Sequence, residues 1–275
     1  MDIFVYGFMQ RAFLAVLMVG LLCSTLSFFV VLNKLSFMGA GISHAVLGGL
    51  ALGVLLGVNP LYTGSIFAVV IALSIAYFSR RGQLESDTLI GIFFAAGMAL
   101  GVTLISFKEG YYPELFSLLF GNVLMVTGQD LWFLGAVALV VLLFIAVFFK
   151  ELLTISFDEE LARASGLPFA LLYSCLLVSL AFTIVVSVLV VGVVLASALL
   201  VIPAATGLKL SINFRSMFFI SVFVGIFSGL AGLIFSYNYD VPSGAAIVLC
   251  AAGIFFLSFF GRELFRKVKN NKHSA

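Results

Sequence analysis

Residues 35–79 read LSFMGAGISHAVLGGLALGVLLGVNPLYTGSIFAVVIALSIAYFS, and no Asp, Glu, Lys or Arg interrupts them. A helix needs about 20 residues to cross the ~30 Å hydrocarbon core of a bilayer, so the stretch holds two crossings, 40–57 and 61–78. The rest of the chain has the same character. Hydrophobic residues make up 63% of it and charged residues 9%, where a soluble domain carries about 25%. Further apolar runs lie near 12–32, 87–107, 128–149, 169–190, 192–208, 216–236 and 243–261. The runs at 40–57 and 192–208 are short enough to be partial or broken crossings, so eight spans is the alternative to nine. The fold class is an all-α integral membrane bundle of eight to nine transmembrane helices, a single domain over 1–275. The first run has full spanning length and no small-residue cleavage pattern, so it is read as a retained helix.

Nine crossings put every Lys and Arg except Arg11 and Lys108 on one side. The positive-inside rule makes that side cytoplasmic, with the N-terminus outside and the C-terminus inside. The basic tail, 262–275, reads as an orientation signal at lipid headgroups; no nucleic-acid partner is expected. Cys23, Cys175 and Cys250 lie singly in three runs, which gives no disulfide framework.

Within the opening stretch sits one histidine, His44. A titratable ring inside hydrocarbon is costly and marks a functional-site candidate, and imidazole is the commonest side-chain ligand of transition metals. The reading from the residues is a protein that moves something past His44, a metal ion first. A neutral histidine hydrogen-bonded across helices is the alternative. Beside it, Gly41, Ala45, Gly49, Gly53 and Gly57 recur every four residues, a stripe that lets other helices approach closely. Gly97 with Gly101, and Gly225 with Gly229 and Gly232, repeat the device. The Gly48–Gly49 pair is expected to loosen the helix and free backbone carbonyls. Ser43 or those carbonyls would then supply oxygen ligands.

Two further segments stand out. Residues 150–168, KELLTISFDEELARASGLP, are the longest polar interruption between spans. Acids at its start and Gly–x–Pro behind predict a helix of two or three turns, too short to persist without packing; it reads as a docking element for a cytoplasmic partner, with an ordinary capped loop helix as the alternative. In 192–208, Pro203 predicts a kink, either lining a cavity as broken helices of transporters do or serving packing alone. Residues 108–127 read as amphipathic rather than spanning. No GxxxxGK[ST] loop occurs, so the chain has no ATP site of its own, and no pair of intramembrane carboxylates points to proton or sodium coupling.

Five blocks in order resemble the membrane permeases of ATP-binding-cassette importers for zinc, manganese and iron. They are FMGAGISHAVLGGLALG (37–53), ESDTLIGIFFAAGMALGVTLIS (85–106), LFGNVLMVTGQDL (119–131), FDEELARASGLP (157–168) and VVGVVLASALLVIPAATG (190–207). The resemblance implies a coupling helix at 157–168, with Asp158, Glu159 and Glu160 at its start and Arg163, Ala164 and Gly166 in its core. It implies cytoplasmic ATPase subunits below, an extracytoplasmic metal-binding protein above, and a second permease subunit, a homodimer being the simpler case. It gives His44 a place along the translocation path. The expected substrate is a divalent transition metal ion, zinc or manganese, with no permanently bound cofactor, carried across the plasma (inner) membrane of a prokaryote. One departure counts: many members have an Asp four residues before this histidine, where this chain has Ala40, and the usual Pro after HAVL is Gly48. A chelated metal, such as a siderophore or corrinoid complex, is therefore a rival substrate. A stand-alone carrier or channel is the rival class.

Overall fold

The structure, a computed structural model, describes residues 6–80, 86–107 and 123–273; the side chains of Arg80 and of residues beyond Arg262 fall outside it. Of the segments read above, 108–122 also lies outside the described residues. Twelve α-helices follow in order. They are α1 (Gly7–Leu32), α2 (Met38–Leu56), α3 (Pro60–Arg80), α4 (Ser86–Ser106), α5 (Gly128–Val147), α6 (Phe149–Phe157), α7 (Glu159–Ala164), α8 (Phe169–Val191), α9 (Val193–Leu199), α10 (Ile202–Leu210), α11 (Phe214–Tyr239) and α12 (Ser243–His273). One 3-10 turn, Val123–Met125, precedes α5.

Among the described residues nine segments are long and apolar enough to span a bilayer, with α9 and α10 together forming the seventh. The second run is a continuous helix. The seventh is broken at Leu200–Val201, and Pro203 lies in the first turn of α10, so it restarts a helix rather than kinking one. Proline is tolerated there because first-turn N–H groups lack helical acceptors in any case. The orphan Ala204 N–H is satisfied across the bundle, donating to Ser27 Oγ at 3.1 Å. Other buried hydroxyls, among them Ser24, Ser43 and Ser221, donate to carbonyls one turn back in their own helices. Such back-bonding keeps a polar group satisfied where no water is available.

The most enclosed helices are α1 and α8. A single residue, Gly192, separates α8 from α9; it is buried at φ 88°, a backbone region that a side chain would strain. At one end of the bundle Phe28 and Phe29 of α1 meet Phe149 of α6 and Phe218 of α11, with centroids 5.1–6.2 Å apart. That cluster fixes α6, which leads into α7.

Lipid tails are as apolar as leucine, so helices associate by close packing rather than by escape from water. In α2 the glycines supply it on two faces. A Cβ at Gly41 would strike Ile90 of α4, and one at Gly48 would lie 2.8 Å from the Gly97 carbonyl oxygen. Gly97 itself faces Ala45, whose Cα would be 2.6 Å away, while Gly49 and Gly53 face Phe67, Thr63 and Pro60 of α3. A four-residue repeat advances about 40° beyond a full turn, so the stripe winds from one neighbour to the other. Gly57 is not part of it: it has nothing within 4 Å and ends α2 at φ 67°. Gly48 is, and it leaves the helix intact, so no carbonyls are freed beside it.

Replacing Gly97 by Ala should therefore lower the thermal stability of the purified protein by several degrees, despite the roughly 1 kcal/mol that Ala gains over Gly in a helix interior. Gly91→Ala, where nothing lies within 4 Å, should be neutral or slightly stabilising in the same melting experiment.

Candidate functional site

α3 and α4 take two faces of α2, Gly39 packs against Ser197 and Leu200 at the end of α9, and one strip stays partly open. Along it Ala40, His44 and Leu47 are half-buried and Phe37 is exposed. His44 is held from two sides. Its Nδ1 lies 2.9 Å from the Ala40 carbonyl oxygen. Since a carbonyl only accepts, Nδ1 carries the proton and donates it. The ring also meets Phe94 of α4 edge-on, centroids 5.1 Å apart, and Phe94 in turn lies against Phe37 at 6.2 Å. The backbone bond fixes the tautomer and leaves the Nε2 lone pair with no hydrogen-bond partner among the described residues. This is the arrangement in which metal-binding histidines are usually held, with a carbonyl or carboxylate behind the ligating ring.

The remaining expected ligands do not converge on that ring. Ser43 is fully buried and donates to the Gly39 carbonyl at 2.6 Å, about 100° around the helix from His44. Among the described residues no three of His, Cys, Asp and Glu gather into a metal-binding group. The site is a single imidazole nitrogen on an apolar face.

The second candidate lies at the end of the bundle where α1 turns into α2. There α7 is six residues long, shorter than the two or three turns expected. Both its ends are capped. Asp158 accepts from Leu161 N–H at 3.0 Å, an N-cap that satisfies one orphan donor. At the other end Gly166, at φ 74°, donates to Arg163 O and Leu167 donates to Ala162 O, each at 3.1 Å. Those two bonds are a Schellman cap, which needs a left-handed residue at the position of Gly166. Arg163 donates to Glu159 in an i,i+4 ion pair. Glu160, Leu161 and Ala164 face outward, and Ala162, which sequence reasoning passed over, is the residue that α7 buries. A short helix, pinned by one alanine and capped at both ends, presents acids, Arg163 and an exposed leucine away from the bundle.

The sequence model described as ABC 3 transport family matches residues 5–262. The chain belongs to that family. The manganese transport system membrane protein MntC of Halalkalibacterium halodurans is 38% identical over 93% of this chain and 87% of its own. The manganese import system permease protein ScaB of Streptococcus gordonii is 37% identical over 96% of each chain. Among solved structures, PsaBC from Streptococcus pneumoniae in complex with Fab superposes with a TM-score of 0.82, at 36% identity over 94% of this chain and 93% of that one. Family and fold thus agree with the resemblance read from the five sequence blocks.

Phe94 and the Ala40 carbonyl carried no signal in the sequence as partners of His44. Nothing in α2 states which residue of α4 it will face, beyond the matched glycines at 41, 48, 97 and 101.

Ser43→Ala should leave the open face of α2 undisturbed, because the hydroxyl it removes is buried and bonded within its own helix. Uptake of the transported ion by cells carrying this variant should stay within about two-fold of wild type. A loss comparable to that of a His44 variant would return Ser43 to the site.

Proposed function

We infer that this chain is the membrane permease of an ATP-driven importer for a divalent transition metal ion, manganese or zinc, working as a homodimer in a prokaryotic plasma membrane. The observation that carries the reading is His44: a lone imidazole, locked in one tautomer by its own backbone, offering Nε2 to the open face of an otherwise apolar helix. Family membership and the named activities of the relatives support the same conclusion. In this reading the open faces of two α2 helices border the path, and α7 is the coupling helix that fits the ATPase subunit. The end bearing α7 is then cytoplasmic, and an extracytoplasmic metal-binding protein delivers the ion to the opposite end. ATP closes the paired ATPases, and the movement of α7 switches the bundle between outward- and inward-facing states.

Ala40 shapes the chemistry. With no carboxylate one turn below His44, the ion meets a neutral donor and keeps much of its water. Such a site passes an ion along without holding it. A chelated metal remains the second reading, favoured by the same absence of a carboxylate.

In a strain that depends on this importer, His44→Ala should reduce uptake of one ion among zinc, manganese, iron and cobalt by tenfold or more, with protein level and ATPase assembly unchanged. Uptake of every ion at the wild-type rate would remove His44 from the path and favour a chelate.

The caps of α7 give a separate prediction. A six-residue helix is marginal, and losing an N-cap costs about 1 kcal/mol. Asp158→Ala should fray α7 and weaken co-purification of the ATPase subunit, while Asp158→Asn, which keeps an accepting oxygen, should not. Gly166→Val, forced into a left-handed conformation, should behave like Asp158→Ala. Undiminished ATPase recovery with both variants would show that docking lies elsewhere.

A further inference from the structure

A polar cavity of about 380 Å³ lies behind α7, lined by Asn33, Ser79, Ser86, Glu159, Phe169 and Tyr173. With Ile155 of α6, which also lines it, the cavity draws on α1, α3, α4, α6, α7 and α8, so six elements meet around one small volume. A continuous series of contacts runs along its wall. Arg163 of α7, paired with Glu159, places its guanidinium 5.4 Å from the centre of the Phe169 ring. Phe169 stacks on Tyr173 with centroids 5.6 Å apart and planes 10° from parallel. Tyr173 lines the same cavity wall as Ser79 and Ser86, whose hydroxyl oxygens are 2.9 Å apart. Ser79 is in the last turn of α3, and Ser86 is the first residue of α4.

The route continues inside α4. That helix is unbroken from Ser86 to Ser106, carries Phe94 against His44, and meets α2 at Gly97 almost backbone to backbone. A displacement of Ser86 along or about the axis of α4 therefore reaches Phe94, two turns on. A second tie joins the α1–α2 turn to α6, where Asn33 Nδ2 donates to Ser156 Oγ at 2.8 Å. Both helices that hold His44 are thus fastened at their near ends to the elements flanking α7.

We propose that the stacked Arg163, Phe169 and Tyr173, closed by the Ser79–Ser86 hydroxyl pair, form the relay that carries movement of α7 to α4 and so to the ring of His44. Tyr173 and Phe169 are positioning residues: they touch neither the ion nor ATP, and they set where α4 stands when α7 moves. The parts have complementary roles. The cation–π and stacked contacts are broad and tolerate sliding. The Ser79–Ser86 hydrogen bond is directional, so with the Tyr173 hydroxyl beside it in the cavity it ties the motion of α8 to a definite position of Ser86. Spatial continuity alone does not establish energetic coupling, so the test is a coupling measurement.

The proposal rests on the importer reading above. The permease is reconstituted in liposomes with its ATPase and its binding protein, and manganese or zinc transported per ATP hydrolysed is measured. Tyr173→Phe keeps the stack and removes the hydroxyl. It should leave ATP hydrolysis running and lower the ions moved per ATP about three- to ten-fold, the scale of one lost hydrogen bond. Ser79→Ala with Ser86→Ala should lower it similarly, and adding Tyr173→Phe to that pair should lower it no further, because the changes break one link. Ser79→Thr with Ser86→Thr, which keeps both hydroxyls, should restore the wild-type ratio. Should Tyr173→Phe fail to assemble with the ATPase, Phe169→Leu at its half-buried position reads the same link. A wild-type ratio in the assembled variant, or losses that multiply independently, would overturn the relay. Failure of the wild-type protein to move metal, or movement without the ATPase, would instead overturn the importer reading.

Discussion

Everything in this bundle depends on how closely α2 and α4 approach. In hydrocarbon no apolar side chain gains by leaving solvent, so a helix pair is held by the number of atoms in contact and by the bonds its backbone keeps satisfied. Gly41, Gly48 and Gly97 remove the side chains that would otherwise separate the two axes, and Ala45 fills what remains. Gly49 and Gly53 do the same toward α3. The glycines bring neighbours against two faces of α2 and leave the strip carrying His44 half-covered. The exposure of His44 follows from where its neighbours are allowed to come close; the histidine does not have to create its own opening.

The same arrangement explains how one ring is held still without a carboxylate. A histidine on an isolated helix samples several rotamers. Here its Nδ1–H is tied to the carbonyl one turn below, and the edge of Phe94 limits its swing. Phe94 belongs to the helix whose first residue, Ser86, lies in the polar cavity behind α7. The ring of His44 and the outward-facing helix α7 are therefore two ends of one packed assembly. That assembly is stiff along α4 and adjustable where aromatic faces slide.

Much of the fold was legible in the sequence because a bilayer imposes one length on every crossing. The nine spans match the apolar runs closely, and the seventh breaks where Pro203 and a cluster of small residues lie. The caps of α7 were also legible, since Asp158 and Gly166 act within a few residues of their own positions. What the sequence does not state is which faces meet. Gly57 continues the four-residue spacing of the stripe but terminates the helix, and Gly48 breaks the spacing yet packs against Gly97. Ser43 is next to His44 in sequence and on another face in space. The Ser79–Ser86 contact joins α3 to α4 in a cavity that Tyr173 of α8 also lines, and no periodicity within any one of these helices announces it.

The replacement of a carboxylate by Ala40 bears on what this chain contributes to selectivity. A single neutral imidazole follows the general affinity order of divalent metals, in which zinc outranks manganese, so it cannot by itself favour the weaker binder. A carboxylate beside it would deepen the well for any dication without reversing that order. If manganese is the ion, its selection has to come before it reaches His44, in the delivering protein, or from the size and hydration of the path. A shallow site then has an advantage. Under the proposed importer reading, an ion bound tightly at the midpoint would have to be dislodged in every cycle at the expense of the conformational step, whereas a lone Nε2 would hold it only long enough for the path behind it to close.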